Sequence, residues 1–216
     1  VDTEIIELLE KGIKWKEETG NKVDIFGGEI ISLWNNRKED ELPSTIDLEN
    51  AKKCSIPENV EINKNQSTVF LKEKCIKIDL GAIAKGYAVE KTAEKMGKKG
   101  ITSFMISAGG NVRIIGKRII ENKNVKELMK CRTHFCVGVT LPIYYNKELD
   151  KNNPYNKKEG YLAKISASDI SIVTTGNYQR YFLKNNELYG HIIDMYKLKP
   201  VNNFASVTVI TKDSGF

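Results

Sequence analysis

Asp79 and Lys85 stand on either side of Gly81 in the run Ile78-Asp79-Leu80-Gly81-Ala82-Ile83-Ala84-Lys85-Gly86-Tyr87-Ala88. A carboxylate just before a turn can accept a hydrogen bond from a ligand hydroxyl or a base edge. The helix-friendly residues from Ala82 to Met96, ending at Gly97, predict a helix that opens at this turn. Such an opening points unpaired N–H groups and the positive end of the helix dipole outward. A lysine in the first turn is unfavourable to the helix itself, and makes more sense with an anion such as a phosphate nearby. The Gly-Lys-Ser/Thr ending of a Walker A loop is absent. The same residues also fit a plainer arrangement, with Asp79 capping the turn and Lys85 solvated. Two other strand ends carry related chemistry. Ile101 to Ser107 runs into Ala108-Gly109-Gly110, where the missing Cβ atoms let a ligand or another backbone come close. Ala167 to Val173 leads into Thr174-Thr175-Gly176-Asn177-Tyr178. There a hydroxyl and a glycine N–H suit phosphate oxygens, or form an ordinary Gly-Asn turn.

The elements that must position these residues follow from pattern. Asp2 or Thr3 caps a first helix with Ile5, Leu8, Leu9 and Ile13 at helical spacing, closing at Gly20. Val23 to Trp34 reads as a core segment anchored by Ile25, Ile30 and Trp34, with Gly27-Gly28 marking a turn or close approach. Ser44 caps a helix that has Asp47 in its first turn and runs to about Cys54. Val69 to Phe70 and Ile76 to Ile78 are short β-type runs with Glu73-Lys74 as the turn between them. Asn111 to Ile115 and Phe135 to Val139 are further strands, separated by a charged insertion over 117–132. Residues 144–160, rich in Asn, Lys and Tyr, read as a surface loop excursion.

A chain of 216 residues can bury one sizeable core or two small lobes. Its 40% apolar and 29% charged residues describe a soluble globular protein. The net charge of +6 is spread in mixed runs, a mild bias towards anionic ligands and no basis for a nucleic-acid partner. No apolar run reaches membrane-spanning length and no signal peptide opens the chain. The start at Val1 fits a fragment or a processed product. Cys54, Cys75, Cys131 and Cys136 show no CxxC spacing, so neither a zinc site nor a disulfide framework is expected, and they read as buried thiols.

Asp79 to Tyr87 resembles the DLGGIAKGYA signature of the ApbE family, the Mg-dependent FAD:protein FMN transferases. Three further segments follow in that family's order: Ser107-Ala108-Gly109-Gly110-Asn111, Thr174 to Tyr181, and His191-Ile192-Ile193-Asp194 followed by Ser206 to Ile210. The resemblance covers nearly the whole chain and lacks both ends of the family pattern. It implies one α+β domain over 1–216, with mixed sheets and packed helices, and a chain that is a fragment. It implies FAD as substrate, held by Asp24, Asp79, Lys85, Gly109, Gly110, Thr175 and Ile193. His191 is implied as the general base that activates a threonine or serine hydroxyl of an acceptor flavoprotein, with AMP leaving. Mg2+ is the implied cofactor. Only its backbone ligand, the carbonyl of Ala82, falls within the chain, and the Asp and Thr of the metal motif are expected past Phe216. On that basis the 216 residues alone are expected to transfer no FMN, even if they fold and bind flavin. The resemblance also implies an extracytoplasmic, periplasmic or lipid-anchored location. Four departures stand against it: Phe26 for a hydroxyl residue, Asn111 for Asp, Met195 for proline and Leu198 for glycine. Leu198 is expected to reshape the loop that presents His191. Hydrolysis of FAD to FMN and AMP, or flavin binding without catalysis, are the alternative functions.

Overall fold

The computed structural model describes residues 1–37, 41–118, 133–142 and 160–215. The chain forms two compact units, Val1–Ala84 with Arg180–Asn202, and Lys85–Gln179 with Asn203–Phe216. It begins with helices α1 (Thr3–Glu18), α2 (Gly28–Asn35) and α3 (Thr45–Cys54), then strands β1 (Val60–Asn63) and β2 (Thr68–Leu71). Helix α4 (Ala84–Lys98) carries it into the second unit, which holds β3 (Phe104–Ala108), β4 (Asn111–Ile115), β5 (Phe135–Thr140), β6 (Tyr161–Ala167) and β7 (Ile170–Gly176). The chain returns to the first unit for β8 (Tyr181–Lys184), β9 (Glu187–Gly190), β10 (Ile193–Asp194) and β11 (Lys199–Pro200), and β12 (Ser206–Thr211) belongs to the second. The class is α+β, and every described strand pair is antiparallel. The 117–132 insertion and the 144–160 excursion lie almost wholly outside the described residues.

In the first unit the capping residues act as their types dictate. Asp2 accepts the Glu4 N–H at 2.8 Å and Ser44 the Asp47 N–H at 3.1 Å, which fixes where α1 and α3 start. The buried stripe of α1 is Ile6, Leu8, Leu9 and Gly12, and Ile5 faces out. Helices α2 and α3 close a core of Ile30, Trp34, Leu48, Ala51 and Leu198. Tyr189 stacks on both Phe182 and Trp34, at ring distances of 4.9 and 5.8 Å, those two rings lie 6.4 Å apart, and the Arg37 guanidinium lies 3.1 Å over Phe182. Leu198 in the β10–β11 hairpin takes the left-handed conformation that favours glycine (φ +56°), and its carbonyl accepts the Trp34 indole N–H at 3.0 Å.

Three expectations are corrected. Ile76 to Ile78 forms no strand with β2, which pairs with β1 instead. The segment finds its partners in the loop before α2. Lys77 O accepts the Gly28 N–H at 3.1 Å, and Asp79 N–H donates to Ile25 O at 2.8 Å. The described cysteines are not thiols: Cys54 at the end of α3 is bonded to Cys75, with Cα atoms 5.7 Å apart, and Cys136 is disulfide-bonded too. Cys131 lies outside the described residues. Finally, Ala167 to Val173 is a hairpin and not one strand. Asp169 turns the chain in the left-handed region (φ +56°) and its side chain accepts the Gly116 N–H at 2.8 Å.

The second unit is a four-stranded sheet in the order β12-β7-β4-β3. Ile114 and Ile172 face the β5–β6 hairpin, packing with Ala167, Val137 and Ile165. The pairing of Arg113 with Ser171, and of Asn111 with Val173, sets the other face against α4. Helix α4 starts two residues later than its composition predicts, because Leu80 O takes both the Ile83 and Ala84 N–H groups in a preceding turn. It runs past Gly97 and stops where Gly100 (φ +81°) lets the Ile101 N–H close back on Met96 O at 3.2 Å. Its buried stripe, Gly86, Tyr87, Val89, Glu90 and Ala93, contains a carboxylate.

Glu90 is 5% exposed and fully engaged. It accepts from Ser171 Oγ at 2.8 Å and from Ser214 N and Oγ at 2.9 Å each, and pairs with Arg113 Nε at 2.9 Å. Burial pushes the carboxyl up. The Ser214 N–H, the two hydroxyls and the Arg113 charge outweigh burial and hold it below its ordinary value.

Two outcomes follow from these bonds. Replacing Cys54 and Cys75 by Ser opens a loop closed across a separation of 21 residues. Chain entropy then predicts a loss of about 3 kcal/mol in denaturant unfolding. Glu90 has a depressed folded pKa, so its contribution is complete above the unfolded value of 4.5 and is lost as pH falls through the folded one. Unfolding measured from about pH 7 down to about pH 3 should show this loss in the wild type. Glu90→Gln should be less stable at neutral pH and lack that part of the slope.

Candidate functional site

The residues singled out by the sequence fall into two sets, each held within one unit. Asp24, Asp79, Ala82, His191 and Ile193 belong to the first, and Lys85, Gly109, Gly110 and Thr175 to the second.

In the first unit the Asp79 backbone is tied to Ile25, which sets Asp79 beside the Asp24 loop. Asp79 Oδ1 accepts the Gly81 N–H at 2.7 Å, so the carboxylate does cap the turn. Asp24 is nearly buried; it accepts the Phe26 N–H at 2.9 Å and forms an ion pair with Lys16 of α1. Phe26, where the resemblance calls for a hydroxyl residue, is 1% exposed and belongs to the core. A cavity of about 210 Å³ opens beside this pair, lined by Lys16, Asn21, Asp24, Lys52, Ser55 and Tyr196 among others. The same loop meets the last hairpin, because a side chain on Gly27 would run into Met195.

His191 is exposed, just before β10, and Ile193 is half-buried opposite Pro200. Asp194 organises the hairpin turn. Its Oδ1 accepts from Lys197 N at 3.0 Å and Tyr196 N at 2.9 Å, and these bonds, the Lys197 one foremost, hold its carboxyl below the ordinary value.

In the second unit Lys85 lies in the first turn of α4 and its stem crosses the β3–β4 turn. A Cβ on Gly109 would sit 3.3 Å from Lys85 Cδ. Both turn residues are left-handed, Gly109 at φ +53° and Gly110 at φ +92°. A Cβ on Gly110 would press on Thr174 O at 2.5 Å, and Gly110 O accepts the Thr174 N–H at 2.7 Å. The fold therefore brings a lysine, an exposed glycine turn and the exposed Thr175 beside it into one neighbourhood. A cation, bare backbone and a hydroxyl at a helix opening suit an anionic oxygen cluster such as a phosphate.

The described residues do not by themselves make a magnesium site. No group of three or more His, Cys, Asp or Glu among them could hold a metal. Ala82 offers one carbonyl, and Asp213 turns its Oδ1 to the Gly215 N–H at 2.7 Å.

Lys16, Glu90, Arg113 and Ser214 escaped the sequence reading. For Glu90 a signal existed, since an acidic residue falls on the apolar stripe of α4 between Val89 and Ala93. For Ser214 there was none, because its partners are distant in the chain.

Comparisons with known proteins match this architecture. A protein from Vibrio cholerae (classical Ogawa 395) named FAD:protein FMN transferase is 26% identical over 216 residues, 98% of this chain and 57% of its own length. One of the same name from Klebsiella pneumoniae (strain 342) is 25% identical over 189 residues, 87% of this chain and 51% of its own. The chain thus spans little more than half the length of these relatives. The crystal structure of the ApbE protein from Thermotoga maritima superposes with a TM-score of 0.77 at 26% identity, over 100% of this chain and 62% of that one. The family model described as the ApbE family matches residues 1–215, and the chain belongs to that family.

Proposed function

We propose that this chain is the flavin-handling part of an enzyme that moves the FMN moiety of FAD to a threonine or serine hydroxyl of an acceptor flavoprotein. The observation that carries the proposal is the placement of Lys85 across the exposed Gly109–Gly110 turn at the opening of α4. FAD brings a pyrophosphate, and a lysine with bare backbone beside it suits phosphate oxygens. The names of the relatives support the same reading.

In the reaction, the acceptor oxygen attacks the FMN phosphorus and the bond to the AMP oxygen breaks. His191, exposed before β10, takes the proton of the attacking hydroxyl. Lys85 holds phosphate charge in place as it shifts to the leaving AMP. The resemblance also implies magnesium, but no step is assigned to it, because the described residues supply no donor set. An extracytoplasmic location fits the Cys54–Cys75 disulfide, since a reducing cytosol keeps such pairs open. Among the described residues no helix is long and apolar enough to cross a membrane.

One observation favours the second reading, a flavin binder without transfer: Phe26 is locked in the core where the resemblance expects a hydroxyl. Products separate the possibilities. An acceptor heavier by FMN, with AMP released, marks transfer; free FMN with AMP marks hydrolysis; intact bound FAD marks binding alone.

Calorimetric titration with FAD tests the phosphate assignment. Lys85→Ala removes a charge-assisted bond, so affinity should fall by about 1.5–3 kcal/mol, or roughly ten- to a hundredfold. Equal affinities would make Lys85 an ordinary surface lysine.

A further inference from the structure

We propose that Glu90, Asn111 and Ser214 form a buried latch in the second unit whose task is to position Lys85 and the Gly109–Gly110 turn; the inference rests on the phosphate-binding reading of those residues. Ser214 Oγ lies 2.9 Å from Glu90 Oε1, 2.9 Å from Asn111 Nδ2 and 3.1 Å from Asn111 Oδ1. A hydroxyl has one hydrogen, and the carboxylate is the stronger acceptor. The Ser214 hydrogen therefore goes to Glu90, and the Asn111 amide donates to Ser214 Oγ. The result is a one-way chain of donors, from Asn111 through Ser214 to Glu90, sealed by burial of both ends. Asn111 is 3% exposed and Glu90 5%.

Both ends of this chain adjoin the proposed anion site. Asn111 immediately follows Gly110, so its orientation sets the second residue of the glycine turn. Gly86 immediately follows Lys85, and the Ser214 carbonyl lies so close over it that a Cβ there would collide. Residues 213–215 thus touch the helix one residue from the lysine and the sheet one residue from the glycines. Asn111 and Glu90 are positioning residues on this view.

The latch also accounts for the residue type at 111. An Asp there has no N–H to give. Two buried carboxylates, at 90 and 111, would then compete for the single Ser214 hydrogen and repel each other. Glu90 makes an amide the fitting partner, and Asn111 faces Ser214 rather than a ligand.

The test compares the wild type with Asn111→Asp, Ser214→Ala and the exchange variant Glu90→Gln/Asn111→Asp, which moves the carboxylate to 111 and gives residue 90 the N–H donor. In the unliganded protein, the amide NMR signals of Lys85, Gly109 and Gly110 should shift in Asn111→Asp and return towards wild type in the exchange variant. FAD affinity should fall about tenfold in Asn111→Asp and recover in the exchange. If Asn111→Asp fails to fold, Ser214→Ala, which breaks the chain without adding charge, should shift the same three signals. The proposal is overturned if the variants that fold leave these signals at their wild-type positions, or if the exchange variant restores neither signals nor affinity. A wild type that binds no FAD would defeat the transferase reading, and the unliganded signals alone would then decide the latch.

Discussion

A carboxylate buried on the packed face of a helix constrains everything around it. Left alone, Glu90 would take up a proton or unfold the helix, since removing a charge from water costs several kcal/mol. It stays charged because β7, β4 and the segment after β12 each send it a partner: the Ser171 hydroxyl, the Arg113 charge and the Ser214 N–H. Those partners fix how α4 sits on the sheet. The seating of α4 in turn decides where Lys85 and the first helical turn meet the Gly109–Gly110 turn. Breaking such a pair from one side is costlier than never forming it, so Arg113 and Glu90 stand or fall together.

The first unit is held differently, by apolar and aromatic packing with one covalent tie. Leu198 shows how the effects balance there. A left-handed backbone costs a branched residue roughly 1–2 kcal/mol, yet burying a leucine side chain returns about 1.5–3 kcal/mol. Leu198 is 4% exposed within the α2–α3 core, so burial offsets the strain and the hairpin keeps a glycine-like course without a glycine.

What the sequence made legible was local. Asp2, Ser44 and Asp47 marked the starts of α1 and α3 through contacts a few residues away, whereas the α+β class came from the family resemblance. The glycines at 109 and 110 were legible because a turn with positive φ selects them. What the sequence hid was long-range. Ile76 to Ile78 has β-type residues but bonds to residues 25–28. The Cys54–Cys75 bond depends on α3 ending beside a distant segment. Lys16 gave no sign that it would pair with Asp24, and Asn111 stood only as a departure from the family pattern until Ser214 supplied its partner. Of the expected site, the sequence singled out Lys85, Gly109 and Gly110 one by one as candidates, and only the fold placed them side by side.

The most direct measurement is amide chemical-shift mapping of the wild-type protein as FAD is added, with riboflavin, which lacks phosphate, as the control. If the α4 opening and the glycine turn hold the FAD phosphates, the largest changes fall on Lys85, Gly109 and Gly110 with FAD and are absent with riboflavin. Equal changes with both ligands, or FAD changes that spare these three residues, would contradict it.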